Sequence, residues 1–137
     1  MPSDLKTSMF VAASGMRAQG TRIRTISENV ANANSGPEKL GGEPYRRRVV
    51  TFKNVFDRAI EADLVKVALI REDKSDFKLN HDPNHPAADK DGYVKMPNVN
   101  SLVEMVDMRE AQRSYQANLN MVDSSRAMIM ATIDLLR

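Results

Sequence analysis

A seven-residue apolar repeat runs through each end of the chain and constrains the fold more than any other feature. Near the N-terminus one heptad position holds Met9, Met16, Ile23 and Val30, and the other holds Leu5, Ala12, Gln19, Ile26 and Ala33. Near the C-terminus the two positions hold Met105, Gln112, Leu119, Arg126 and Ile133, and Met108, Tyr115, Val122, Ile129 and Leu136. Such a repeat is typical of a long helix that packs along another long helix. The sequence therefore predicts two terminal helices that pair with each other or with further copies.

The chain length limits what can lie between these helices. Of its 137 residues, about sixty remain for the middle, which is near the lower limit for an independently stable domain. The predicted domains are an N-terminal helix over 1–35, a small β-rich module with an extended loop over 36–96, and a C-terminal helix over 97–137. The predicted fold class is mainly α, with the two helices packed as a coiled coil and a small irregular β module inserted between them.

Local signals give approximate boundaries. The first helix is expected to end near Asn34, where Asn-Ser-Gly-Pro supplies a stop. The second is expected to start at Ser101, because Ser101 and Glu104 have the spacing of a capping box. Four strands are expected, at residues 45–52, 64–70, 77–79 and 93–94. Residues 54–62 fit either an extended segment or a helical turn.

Polar residues and glycines near the two repeats have alternative interpretations. Gln19, Gln112 and Arg126 interrupt the apolar positions, either because they are exposed or because they fix the register of a helix pair. Gly15, Gly20 and the arginines at 17, 22 and 24 lie off the repeat, and a surface role is favoured over an interface role.

Charge and composition argue against nucleic-acid binding. Lys plus Arg number 20 against 18 Asp plus Glu, tryptophan and cysteine are absent, and neither a concentrated basic surface nor a stacking platform is apparent. The densest basic cluster is Arg46-Arg47-Arg48. Alternation along a strand would split it between two faces, so solvated residues or contacts at the rim of a neighbouring subunit are favoured over a ligand-binding patch.

Catalytic and metal-binding patterns are weak. The two histidines, His81 and His85, have a metal-binding spacing only if they share a helix, and Pro83 and Pro86 forbid that helix. A loop fixed by its prolines is therefore favoured over a metal site. Since no nucleophile, base or phosphate-binding loop can be recognised, the sequence predicts a protein that is not an enzyme and has no cofactor or metal.

Targeting and membrane signals are also limited. The apolar run at residues 9–13 is shorter than the core of a secretory signal, so we expect it to be retained in the mature protein. No segment reaches the length of a transmembrane helix. Heptads alone would also allow a cytoplasmic coiled-coil adaptor or regulator, which is the alternative function.

Several blocks of sequence resemble the bacterial flagellar rod and hook proteins. Residues 8–19 (SMFVAASGMRAQ) and 26–34 (ISENVANAN) are similar to the N-terminal signature of that family. Residues 81–89, 92–94 and 97–100, with 104–108, 111, 113–115 and 117–118, are similar to a short proximal-rod subtype. The resemblance covers both termini and much of the middle.

This resemblance implies a structural subunit of the basal-body rod, the periplasmic shaft that transmits motor torque. It also implies export through the flagellar type III apparatus without a cleaved signal, and assembly with other rod proteins and copies of itself in a helical array. The terminal helices would form the packed inner layers. The predicted assembly interface combines repeat residues with three asparagines of the signature: Met9, Met16, Ile23, Ile26, Asn29, Val30, Asn32, Asn34, Met105, Met108, Tyr115, Leu119, Val122, Ile129, Ile133 and Leu136.

Overall fold

In the order of the sequence, a long helix comes first, two long strands and two short strands follow, and a second long helix comes last. The computed structural model describes the backbone of residues 2–135 and the side chains of residues 4–135. Its elements are α1 (Pro2–Ala31), β1 (Arg48–Asp57), β2 (Ala62–Glu72), β3 (Lys78–His81), β4 (Tyr93–Met96) and α2 (Ser101–Leu135). The predicted mainly α class with a small β module is confirmed.

The two helices end and begin close to the predicted positions. α1 stops at Ala31 and passes into a turn, in which Ser35 N donates to Asn32 O over 3.0 Å. α2 begins at Ser101, but its cap is Asn100, whose Oδ1 accepts from Leu102 N over 3.1 Å. The predicted capping box is wrong, because the carboxylate of Glu104 bonds to other residues described below.

The strands form two separate two-stranded sheets. β1 pairs with β2, and the connection of residues 58–61 is too short for anything but an antiparallel hairpin. In its turn Glu61 has a φ of 51°, in the left-handed region. β1 begins later than expected and continues to Asp57, so residues 54–62 divide into the end of a strand, a turn and the first residue of β2.

The second sheet pairs β3 with β4 in antiparallel register, from Lys78 opposite Met96 to His81 opposite Tyr93. Gly92 precedes β4 with a φ of 79°, and a Cβ on it would lie 3.0 Å from Pro83 Cγ. This turn therefore requires glycine for its conformation and for its space.

The chain forms two compact units. The first contains the chain up to Ile23, Val50–Leu69 and the chain from Arg109 on, and the second contains Arg24–Val49 and Ile70–Met108. The buried apolar residues of the first unit are mostly small: Ala12, Ala18, Leu64 and Ala111. Those of the second unit are Ile26, Ala87, Val94 and Val99. Neither α1 nor α2, over the residues described, has the length and apolarity needed to cross a membrane.

Candidate assembly site

In the first unit, α1 and α2 run antiparallel and approach closely. A Cβ placed on Gly15 would lie 2.8 Å from Asn118 Nδ2. Arg22 Nη2 lies 3.7 Å from Glu110 Oε2, so residues later in α1 meet residues earlier in α2. Gly15 therefore belongs to a helix contact, and the favoured surface interpretation is wrong for it. The surface interpretation suits Gly20, because a Cβ there would meet nothing within 4 Å.

The first unit also ties α1 to the hairpin. Ser14 is buried, its Oγ donates to Val11 O over 2.7 Å, and the same oxygen accepts from Val65 N over 3.1 Å. A strand N–H in β2 is thus satisfied by a helix side chain. The small residues of α1 allow this approach, since bulkier side chains would hold the backbones apart.

The heptad repeat predicts two buried positions on α2. In the structure one of them is packed and the other is largely exposed. Met108, Tyr115, Val122 and Ile129 are half-buried, as expected for a packed face. The other predicted position is largely exposed, with Met105 at 54% and Ile133 at 48%. The neighbouring positions are fully buried instead: Glu104, Ala111 and Ser125, each at 0%.

The sequence did contain a signal for this face. Glu104, Ala111, Asn118 and Ser125 are themselves spaced by seven residues. These residues are small or polar, so a repeat of large apolar residues does not include them. The small members of this heptad, Ala111 and Ser125, permit close helix approach.

Large apolar side chains of α2 are consequently exposed in the single chain. In the second unit they are Leu102, Val103, Met105 and Val106, and in the first unit Met121, Met128, Met130, Ile133 and Leu135. Their exposed fractions run from 45% for Met121 to 87% for Leu135. Exposed apolar residues in such number are typical of a surface that another protein covers. We call these nine residues the exposed apolar set.

Predicted interface residues of α1 are more buried. Ile26 and Asn29 are 5% and 1% exposed. Met9, Met16, Ile23, Val30 and Asn32 are half-buried, Asn34 is exposed, and Leu119 of α2 is half-buried. Leu136 lies outside the described residues. The assembly role of all these residues stays a prediction.

The second unit contains a buried polar cluster centred on Asn29. Its Nδ2 donates to Arg48 O and to Glu104 Oε2, each over 2.9 Å. Its Oδ1 accepts from the Tyr45 hydroxyl and from Arg48 N, also over 2.9 Å. An asparagine amide has two donor hydrogens and two acceptor lone pairs, so every one of them is used here.

Glu104 joins this cluster to an arginine. Arg47 Nε donates to Glu104 Oε1 over 2.6 Å, and the arginine also lies 3.5 Å from Asp73 Oδ2 and 3.6 Å from Asp107 Oδ2. Burial alone would lower the pKa of Arg47, but hydrogen bonds and charge attraction from Glu104 and Asp73 outweigh it and raise that pKa. The fully buried carboxylate is thus neutralised by a permanently charged partner.

Asn98 holds the backbone around this ion pair. Its Oδ1 accepts from Arg47 N over 2.8 Å, and its Nδ2 donates to Asp73 O over 3.0 Å and to Ser75 Oγ over 2.9 Å. The pKa of Asp73 is lowered, first by the backbone N–H of Ser75 and less by Arg47. We call the six residues of this cluster the Glu104 network: Asn29, Tyr45, Arg47, Asp73, Asn98 and Glu104.

The predicted solvated role of the arginine triplet needs correction. Arg47 is part of the Glu104 network. The Arg46 guanidinium donates to Asp73 O over 3.4 Å and lies 4.1 Å from the centroid of Phe77. Arg48 fits the prediction better, with a partly exposed pair to Glu28 at 3.4 Å. Two of the three residues thus serve the fold, because residues 46 and 47 precede β1 and do not alternate along it.

The histidine loop is organised by local contacts. His85 Nδ1 accepts from Ala87 N over 3.1 Å, and the His81 ring meets the Tyr93 ring edge-on with centroids 5.0 Å apart. Asp89 Oδ1 accepts from Tyr93 N over 2.8 Å. Within residues 4–135 no group of three or more His, Asp or Glu side chains is arranged to hold a metal ion.

Comparisons with known proteins agree with these features. The model of the family described as flagella basal body rod protein matches residues 9–37, and that described as flagellar basal body rod FlgEFG protein C-terminal matches residues 90–135. These ranges include Asn29 and Glu104, respectively. Both family models therefore indicate the class of flagellar rod proteins.

Full-length relatives narrow this class. The flagellar basal-body rod protein FlgC of Agrobacterium fabrum is 48% identical over 97% of this chain and 96% of its own length. FlgC of Borreliella burgdorferi is 39% identical over 97% and 98%, and FlgC of Salmonella typhimurium is 39% identical over 91% and 92%. The chain belongs to the FlgC family of flagellar basal-body rod proteins. It is a structural subunit of the rod and not an enzyme.

Proposed function

We propose that the chain builds the rod by covering its exposed apolar set with other subunits. The partners are further copies of itself and other rod proteins in a helical array, and the array transmits motor torque. A head-to-tail contact that does not close on itself produces such an open array. Long helices in parallel layers would make the shaft stiff.

The observation that carries this proposal is the exposure of large side chains along α2. Met105 and Ile133, both predicted interface residues, are 54% and 48% exposed in the single chain. Burying a side chain of this size contributes about 1.5 to 3 kcal/mol. Several such contacts per subunit would hold the array together, and they support coiled-coil packing between the helices of different copies.

The location and route of the subunit are part of the same proposal. We propose a rod position within the periplasm, close to the motor, reached through the flagellar type III export apparatus without a cleaved signal. A subunit that is exported unfolded would cover its exposed apolar set only at the growing rod. The coiled-coil adaptor alternative finds no support among the relatives described above.

Substitution of exposed interface residues tests this proposal. Met105→Asp and Ile133→Asp each place a charge where a dry contact is proposed, which is costly without a partner. We expect motility and rod incorporation to be lost, while thermal unfolding of the purified subunit stays within about 0.5 kcal/mol of the wild type because both sites are exposed.

Gln116→Asp is the matched control, since Gln116 is exposed on α2 and bonds only to the nearby Asn120 among the described residues. It should retain motility. Normal swimming with Met105→Asp and with Ile133→Asp would contradict the proposed interface.

A further inference from the structure

The loop between α1 and β1 presents one leucine to solvent on a defined turn. Leu40 is 68% exposed, and the turn is closed by Gly42 N, which donates to Lys39 O over 3.0 Å. Gly41 has a φ of 81°, which the third residue of a type II turn requires. A turn that is already formed loses little conformational freedom when another surface buries its leucine.

The same loop is anchored at both of its ends. Ser35 O accepts from Tyr45 N over 3.2 Å, so a backbone hydrogen bond closes the loop at its base. Pro37 and Pro44 are buried, whereas every residue from 38 to 43 is exposed. The loop therefore projects from an anchored base in the second unit. We call residues 38–43 the Leu40 turn.

The first unit contains a cavity that suits an aliphatic side chain. It has a volume of about 260 Å³ and lies between α1 and β2. Its apolar lining consists of Ala18, Leu64, Val65 and Val67. Pockets for small-molecule ligands usually begin at about 300 Å³, so the size of this cavity favours a single inserted side chain over a cofactor.

The cavity and the Leu40 turn have opposite charges. The two exposed residues of the cavity lining are both cations, Arg17 and Lys66. Two glutamates, Glu38 and Glu43, and one lysine, Lys39, give the Leu40 turn a net charge of −1. Among the residues that the structure describes, none of these five side chains pairs with an opposite charge. Each surface therefore has charge available for a partner.

Two other cavities suit the turn less well. One beside the hairpin turn is lined by Phe10 and Ile60 together with Lys6 and Glu61, so its charges cancel. Another includes Glu38 of the loop itself, so an incoming acidic turn would meet a like charge there. Charge complementarity thus selects the cavity between α1 and β2.

We propose that the Leu40 turn of one copy inserts its leucine into the cavity between α1 and β2 of a second copy. Leu40 does not fill the cavity of its own chain, because it is largely exposed there. Glu38 and Glu43 of the turn would attract Arg17 and Lys66 of the cavity. The two surfaces differ, so the contact is head-to-tail, as an open array requires. This inference rests on the proposed function and names one contact of the array.

Cysteine cross-linking tests the contact directly, because the chain has no cysteine. A Leu40→Cys chain and a Val67→Cys chain are co-expressed, and basal bodies are purified, oxidised and digested for mass spectrometry. With one cysteine in each chain, a disulfide between these two positions joins two copies, and we expect it to form. Lys53→Cys replaces Val67→Cys in the control, since Lys53 is exposed on β1 and does not line the cavity. We expect no disulfide between Leu40→Cys and Lys53→Cys.

Substitutions test the same contact through assembly. Leu40→Asp would place a charge in the apolar cavity, which is costly, so we expect loss of rod incorporation and motility with unchanged thermal unfolding of the subunit. Lys39→Ala on the same turn should retain both. Glu43→Lys should reduce motility, and adding Lys66→Glu to that chain should restore part of it, because the two charges are exchanged.

The results that would overturn the inference also separate it from the proposed function. The contact is wrong if basal bodies contain the chain but Leu40→Cys forms no disulfide with Val67→Cys, or forms one equally with Lys53→Cys. Normal motility of Leu40→Asp would have the same meaning, and in each of these cases the proposed function stands. Absence of the wild-type chain from purified basal bodies would instead remove the proposed function, and this inference with it.

Discussion

The two compact units differ in how fully the buried polar groups that they contain are hydrogen-bonded. In the second unit Asn29 uses all four of its hydrogen-bonding positions, and both oxygens of Glu104 accept a bond. In the first unit Gln19 Oε1 and Ser125 Oγ are buried and have no hydrogen-bond partner among the described residues. The second unit is thus held together by a buried polar network, whereas the first depends mainly on close packing of small residues, with the buried Ser14 supplying hydrogen bonds to Val11 and Val65.

Both units nevertheless expose apolar side chains of α2. The two units differ in the interactions that stabilise them within a single chain. These are charged hydrogen bonds in the second unit, and helix contacts such as that between Gly15 and Asn118 in the first. Breaking a buried ion pair costs about 3 to 5 kcal/mol, whereas overpacking a close contact costs about 1 to 3 kcal/mol. Mutations should therefore have unequal effects in the two units.

The largest effect is expected from Glu104→Ala. It leaves Arg47 and Asn29 without their shared acceptor, and removing one partner of a buried ion pair costs about 3 kcal/mol or more. Chemical denaturation of the purified subunit measures this loss. Glu110→Gln is the matched control in the first unit, where the pair with Arg22 is 3.7 Å long and Glu110 is 65% exposed. It should cost less than about 1 kcal/mol, and equal losses would remove the contrast between the units.

A smaller effect is expected from the two glycines of α1. Gly15→Ala places a Cβ 2.8 Å from Asn118 Nδ2, and we expect a net loss of about 1 kcal/mol from overpacking. Gly20→Ala has open space at its Cβ and should gain about 0.5 to 1 kcal/mol from helix propensity. Thermal melts of both variants give the difference. A Gly15→Ala variant as stable as Gly20→Ala would show that Asn118 moves aside freely and that the contact is loose.

The smallest effect at neutral pH is expected from Tyr45→Phe. The variant loses one hydrogen bond to Asn29, whose Oδ1 keeps the Arg48 N–H, so we expect a cost of about 0.5 kcal/mol. Tyr93→Phe is the control, since Tyr93 is 42% exposed and its ring makes a T-shaped contact with the His81 ring. A loss as large for Tyr93→Phe would argue against a specific role of the buried hydroxyl.

Alkaline pH sharpens the Tyr45 prediction. Burial raises the pKa of Tyr45 above its ordinary value of 10.0, with Arg48 opposing and nearby glutamates adding to the shift. A raised folded-state pKa means that the stabilisation is fully present below pH 10.0 and is lost as the pH rises through the folded value. Wild type and Tyr45→Phe should therefore converge in stability at high pH. A constant difference across that range would contradict the assignment.

Local patterns in the sequence predicted the elements well because helices and hairpins depend on neighbouring residues. The heptads indicated both helices, and alternation indicated the strands. The Glu104 network could not be predicted in this way, because Glu104 bonds to Asn29 across 75 residues and to Arg47 across 57. The capping-box spacing of Ser101 and Glu104 even suggested a local role for a carboxylate that the fold uses at long range.

The candidate assembly site was predicted less completely for a related reason. The heptad repeat favoured large apolar residues such as Met105, whereas a close helix contact uses Gly15 and Asn118. When small residues form the packed face of a helix, its large apolar residues are left exposed. Only the folded chain shows which residues are packed and which are exposed. The assembly role of the exposed residues depends on contacts between several subunits.

Cryo-electron microscopy of purified flagellar basal bodies tests the central claim most directly. The rod density should accept both helices of this chain, with Met105, Met128 and Ile133 covered by neighbouring subunits and Glu104 still bonded to Asn29 and Arg47. A rod in which these three apolar side chains face solvent, while the subunits meet elsewhere, would contradict the account.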